Sequence, residues 1–196
     1  MLTQLSTLKT RLAITVPDYD TILTNAITAL STRFDNETNR TLSRTTSLTY
    51  EFDGSDTEII PPCFPVESVT KFELKTSEAE GWLEQTSVTY LIRRSCIISL
   101  QSPLAFTTPN SALSIGRVTY AGGYVLPGTT PGAGQTALPS DIENAVVEQV
   151  SYWFQNRDKL GLIRNRPNAG TYEQFAQFDL LPSVAQVIRK YQRLLL

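Results

Sequence analysis

LPSDIENAVVEQVSYWFQNR, residues 138–157, is the stretch from which the rest of the chain is read. Ser140 followed three positions later by Glu143 fits a capping box, in which each residue satisfies an orphan backbone N–H at the start of a helix. Asp141 places a negative charge where the helix dipole is positive. No Gly or Pro follows until Gly161, so the spacing predicts a helix over 140–157, about 18 residues and roughly 27 Å long. Ile142, Ala145, Val146, Val150 and Trp153 form one apolar face, and Val147 and Phe154 lie on a second. A helix that is apolar on two sides has to be covered on two sides. The second cover is either the same core or a neighbouring copy, and Val147 and Phe154 are the candidate subunit-interface residues.

Outward from that helix the chain reads as α+β. Leu2, Leu5, Leu8 and Leu12 recur at helical spacing and predict a helix over 2–13. Val16-Pro17-Asp18 interrupts it, and Asp18 is the expected N-cap of a second helix over 19–36. Its apolar stripe is Tyr19, Ile22, Leu23, Ala26, Ile27, Leu30 and Phe34. From about 46 to 121 the period changes to two, which predicts an inserted small antiparallel sheet or barrel. Its strands fall at 47–52, 58–60, 66–75, 88–93, 96–100 and 113–121, with a hairpin around Arg94-Ser95. Gly122 and Gly123 end the last strand in a tight turn, and 124–137 reads as a long exposed loop. Thr171 with Gln174 fits the cap of a short helix. Pro182 suits the first position of a final helix carrying Val184, Val187, Ile188, Tyr191, Leu194 and Leu195. The division expected is a body over 1–158 and an extended segment over 159–196. At about 13 residues the final helix is marginal alone and needs a surface to lie on.

Charge and composition narrow the function. The net charge is −2. Residues 1–154 carry 10 basic and 16 acidic side chains, while 155–196 carry 7 basic and 3 acidic. A basic end on an acidic body fits docking to an acidic partner or to phosphate, and equally a solvated basic helix. The chain has no histidine, which removes Ser-His-Asp and Cys-His machinery and the usual neutral-pH acid–base group. Cys63 and Cys96 match no metal spacing and are expected as reduced, packed thiols. Residues 1–14, with Lys9 and Arg11 among them, do not read as a secretory leader. No apolar run approaches a membrane span. Asp53, Asp56 and Glu58 lack the loop of a calcium hand. Glu78, Glu80 and Glu84 are the carboxylates a hydrolase would have to use. No cofactor and no metal is expected.

The order of features resembles the head–tail connector (adaptor) proteins of long-tailed bacteriophages and prophages. The resemblance covers roughly residues 1–158. It rests on Arg33-Phe34, then Asn39-Arg40-Thr41-Leu42, then Pro65-Val66-Glu67-Ser68-Val69, then Val118-Thr119-Tyr120-Ala121-Gly122-Gly123-Tyr124, and finally Leu138-Pro139-Ser140-Asp141-Ile142-Glu143-Asn144-Ala145. The loop 124–137 and the tail 159–196 are longer than in compact members of the family. The resemblance implies a non-enzymatic virion protein at the capsid–tail junction, made in the host cytoplasm. It implies a ring, usually of twelve copies, under the portal protein, with DNA passing through its channel unbound and a downstream neck or tail-completion (stopper) protein docked below. It also implies that the C-terminal segment reaches the portal. Arg189, Lys190 and Arg193 would then supply charge, and Ile188 and Tyr191 apolar anchors. The competing readings are a monomeric β-domain that binds carbohydrate or peptide, and a carboxylate-based hydrolase.

Overall fold

A computed structural model describes residues 1–101, 114–158 and 179–193. The fold is α+β, with four helices and antiparallel sheets among the described residues. Two compact units share the chain. Met1–Asn39, Leu126–Thr129 and Leu138–Leu196 form a helical unit, and Arg40–Val125 with Thr130–Ala137 form a β-rich unit.

In the helical unit, α1 spans Leu5–Leu12 and α2 spans Asp20–Thr38. Lys9 and Arg11 sit in the last turn of α1, where the dipole favours cations. Leu23, Ile27, Leu30, Phe34 and Thr38 form the buried stripe of α2, at the three-to-four spacing that makes one helical face. Ile22, read as part of that stripe, is instead 56% exposed. Tyr19, not Asp18, occupies the N-cap position, and Asp20 pairs with Lys9 at 2.6 Å. Asn39 adopts φ 52° and ends the helix two residues later than the sequence suggests; asparagine tolerates that left-handed position.

The central helix is α3, Ser140–Gln155. Its capping box does not form: Pro139 is the N-cap residue and no side chain caps the helix. The Glu143 carboxylate turns away from Ser140 and accepts the Thr3 hydroxyl at 3.1 Å. Burial on two sides is as the pattern requires, with Ile142, Ala145, Val146, Val147 and Val150 all buried. The last helix, α4, spans Pro182–Tyr191 with Pro182 at its first position. It packs on α2 and α3 within the helical unit. The short helix read at Thr171–Gln174 lies outside the described residues.

The β-rich unit begins with β1, Thr45–Asp53, β2, Glu58–Ile59, and β3, Val66–Lys75. There follow β4, Leu83–Glu84, β5, Tyr90–Arg93, and β6, Ile97–Leu100. The unit ends with β7, Ile115–Gly122, β8, Tyr124–Val125, and β9, Thr136–Ala137. One sheet has the order β1-β7-β3-β4 and a second β2-β6-β5, both antiparallel. Alternation puts Phe52, Phe72, Leu74, Val118 and Tyr120 into a core shared with Ile59, Cys63, Val66, Ile98 and Leu100. Burying an apolar side chain of this size contributes roughly 1.5–3 kcal/mol. The Tyr120 oxygen, within that core, accepts the Cys63 N–H at 3.2 Å. Arg94 and Ser95 both have positive φ, 50° and 55°, the two-residue hairpin turn whose twist matches its strands. The loop 124–137 is not wholly free: β8 and β9 tie its ends as a parallel pair, and residues 128–134 between them are exposed.

Candidate functional site

The features that distinguish this chain from a plain α+β core lie along α3 and α4. The helices run antiparallel, since Leu181 meets Gln149, Ser183 meets Glu148 and Tyr191 meets Asp141. Val184 and Ile188, four residues apart, are the buried side chains of α4. At its N-terminal end, Gln149 is completely buried. Its Oε1 accepts the Leu181 N–H at 2.8 Å, and its Nε2 donates to the Asp179 carbonyl at 3.4 Å. A buried amide needs such partners, because leaving them unmade costs about 1–3 kcal/mol. At the other end the Arg193 N–H donates to the Thr38 carbonyl at 2.8 Å, one of the carbonyls that the end of α2 leaves without a helical partner.

Asp141 holds the C-terminal turn of α4. Lys190 Nζ lies 2.7 Å from Oδ2, and the Tyr191 hydroxyl donates at 2.8 and 3.0 Å. Burial pushes the Asp141 carboxyl up, but hydrogen bonds from Lys190 and Tyr191 outweigh it, and the net shift is downward. Burial and the same carboxylate push the Tyr191 hydroxyl up. A carboxyl depressed in the folded state stabilises it above the unfolded value, near 3.9. That contribution is lost as pH falls through the depressed folded value. Acidification below about pH 4 is therefore expected to loosen the end of α4. Amide exchange at residues 188–193 reads this directly, and Asp141→Asn should show the looser end already at neutral pH.

Leu194 and Leu195 lie outside the described residues, and the interface and docking candidates lie within them. Ile188 is buried, and Tyr191 is half-buried on Asp141, so both apolar anchors are engaged within the chain. Arg189 and Lys190 are exposed, and Arg193 carries the backbone contact to α2. Val147 is 8% exposed. Phe154 packs edge-on against Tyr19, with ring centroids 5.1 Å apart, and the Arg157 guanidinium lies 4.6 Å over the Phe154 ring. Phe154 thus has partners in its own helical unit, and Val147 is buried on α3. Other apolar side chains are left in solvent: Met1, Val16 and Ile22 on the helical unit, and Leu83, Leu91 and Ile115 on the β-rich unit.

The acidic candidates are dispersed. Glu78 pairs with Lys75 at 2.6 Å, Glu80 accepts the Thr76 hydroxyl, and Glu84 lies 3.6 Å from Lys71. All three are exposed. The carboxylate most enclosed in this region is Glu73, held by Lys71 at 2.8 Å and Arg117 at 2.8 Å; the Lys71 hydrogen bond leads in drawing its carboxyl down. Trp82, the aromatic a sugar-binding face would need, has the Arg117 guanidinium 4.0 Å over its ring. Among the described residues no three of His, Cys, Asp and Glu are grouped to hold a metal ion, and no helix is long and apolar enough to cross a membrane.

Sequence reasoning missed Gln149 and understated Asp141. Gln149 is a polar residue inside an apolar stripe, flanked by Val146, Val150 and Trp153, and that misplacement was the available signal. Asp141 gave none beyond its helix position, because its partners come about fifty residues later in the chain.

No family model matches the chain, and no curated protein does. Solved structures do resemble it. A chain of the virion of a native gene transfer agent particle superposes with a TM-score of 0.58 at 15% identity, covering 100% of this chain and 91% of that one. A chain of the neck of an empty gene transfer agent particle, computed with C6 symmetry, gives 0.56 at 13% identity, with the same coverages. A chain of the native neck computed with C12 symmetry gives 0.50 at 15%, covering 89% and 84%. At these identities the likeness establishes a common fold: this chain is built like proteins of gene transfer agent necks and virions.

Proposed function

We propose that this protein is a structural component of the neck of a phage-like particle, a head–tail adaptor that forms a ring beneath the portal. The observation that carries the reading is the extent of the shared fold, which runs through the whole of this chain and nearly the whole of a neck protein. Those necks were computed with sixfold and twelvefold symmetry, which supports a closed ring; twelve copies is the number the connector resemblance implies. A ring brings the same two surfaces of successive copies together. The exposed Val16 and Ile22 on one unit, and Leu83, Leu91 and Ile115 on the other, are the apolar side chains available for such contacts. Phe154 contributes indirectly, by holding α3 to Tyr19 at the start of α2, and Val147 by its burial on α3.

Docking to the portal falls to the exposed basic side of α4, Arg189 and Lys190, since Ile188 and Tyr191 are engaged within the chain. Charge of this kind governs encounter and specificity more than raw affinity. The stopper protein and the passage of DNA belong to the same reading. A body with net negative charge does not grip DNA, because it offers few cations to replace the phosphate counterions.

The test is co-sedimentation and light scattering of the purified protein with portal rings. Arg189→Glu is expected to change the stability by no more than a surface substitution does, about 0.5 kcal/mol. It should weaken portal attachment at least tenfold at low salt, with a smaller loss as salt screens the contact. A protein that stays monomeric and ignores portal rings rules the adaptor reading out.

A further inference from the structure

We propose that the seat of α4 on α2 and α3 is an exchange site, filled in the assembled ring by α4 of the neighbouring copy. This rests on the ring reading above.

Chain length is the first argument. The beginning of α4 lies beside Gln149, six residues before the end of α3 at Gln155, about 9 Å along the helix. Yet residues 159–178 place twenty positions between the described end of one segment and the start of the next. Antiparallel helices in compact domains are joined by about 2–8 residues. Twenty residues span up to about 65 Å when extended. A compact unit of about 100 residues has a radius of gyration near 13 Å, so the same seat on a touching copy lies within reach.

The seat itself is the second argument. Its fixed contacts are made to backbone: Gln149 clamps the Leu181 N–H and the Asp179 carbonyl, and the Thr38 carbonyl takes the Arg193 N–H. The remaining ties are side-chain pairs, Arg33 to Asp179 at 3.1 Å, Ser183 to Glu148 at 3.0 Å, and Lys190 and Tyr191 to Asp141. Every one of these contacts is identical whether α4 arrives from its own chain or from the next. Only Val184 and Ile188 are buried, so α4 can leave one seat for another without opening the rest of the core. Exchange of an identical element is a low-cost route to association. Around a ring it anchors each copy's chain non-covalently in the next copy's core while leaving Arg189 and Lys190 exposed as before.

The test uses the full chain with Cys96→Ser, which leaves the fully buried Cys63. Glu148→Cys and Ser183→Cys are made singly, co-expressed with different tags, and treated with a short bismaleimide after assembly; the native side chains lie 3.0 Å apart. The expected result is a covalent dimer carrying both tags in the oligomer fraction, and a ladder of covalent multimers from the double variant. Oligomers whose double variant cross-links only within one chain, and whose mixed singles do not cross-link, overturn the exchange and leave the ring standing. A chain that stays monomeric at every concentration and with portal rings present, with within-chain cross-links only, overturns exchange and ring together.

Discussion

Gly123→Val is expected to lower the melting temperature of the β-rich unit by more than about 15 °C, following a cost of about 3–5 kcal/mol. Gly123 has φ +99°, a conformation that side chains strain. A Cβ there would stand 2.8 Å from both the Arg44 Cα and the Ser43 carbonyl oxygen. These are backbone atoms, so no side chain can swing aside. The surrounding chain is also pinned. The Gly123 N–H donates to the Pro65 carbonyl at 2.9 Å, the Tyr124 N–H to Leu42 at 2.8 Å, and the Arg44 N–H back to Tyr124 at 3.0 Å. Relaxing the clash means breaking some of these bonds in a buried place. Calorimetry of the full chain measures the outcome, and a shift below about 4 °C, roughly 1 kcal/mol, would mean that this crossing is slack.

Ile188→Asp should act in a different way. Ile188 is 4% exposed between α4 and its seat, and an unpaired carboxylate there costs about 3 kcal/mol or more. The helix has an escape: it can lift off, because local opening is cheaper than losing the whole core. Free of its seat, a ten-residue helix is marginal in water. Hydrogen exchange should therefore show the amides of 184–191 losing nearly all protection while those of β3 in the β-rich unit keep theirs. Portal attachment should fall with it, since the basic side of α4 is no longer presented. Wild-type protection across 184–191 in this variant would show that the two buried side chains do not hold the helix.

Local pattern carried much of this fold. Alternation located β3 to the residue, and the paired glycines after β7 marked the turn where Gly123 is now seen to be required. Apolar residues on two sides of α3 predicted its double burial. Elements of two residues, such as β4, β8 and β9, lie below the length at which any period can be read. What covers a face was not legible either. The second face of α3 is served in part by Tyr19, 135 positions from Phe154, and the sequence alone could not distinguish that partner from a neighbouring copy. Glu143 shows the same limit: the local rule assigned it to Ser140, whereas Thr3, 140 positions away, took the carboxylate.

The chain order of the two units has a consequence for synthesis. Every strand of the β-rich unit is encoded before Ser140, whereas the helical unit is split, with α1 and α2 at one end and α3 and α4 at the other. On the ribosome the β-rich unit can close while the earlier helices still wait. About 120 residues separate the end of α2 from that of α3, which at ribosomal speeds of about 5–20 residues per second is roughly 6–24 s. Through that interval Leu23, Ile27, Leu30 and Phe34 have no α3 to cover them, so the nascent protein's most vulnerable surface is its oldest one.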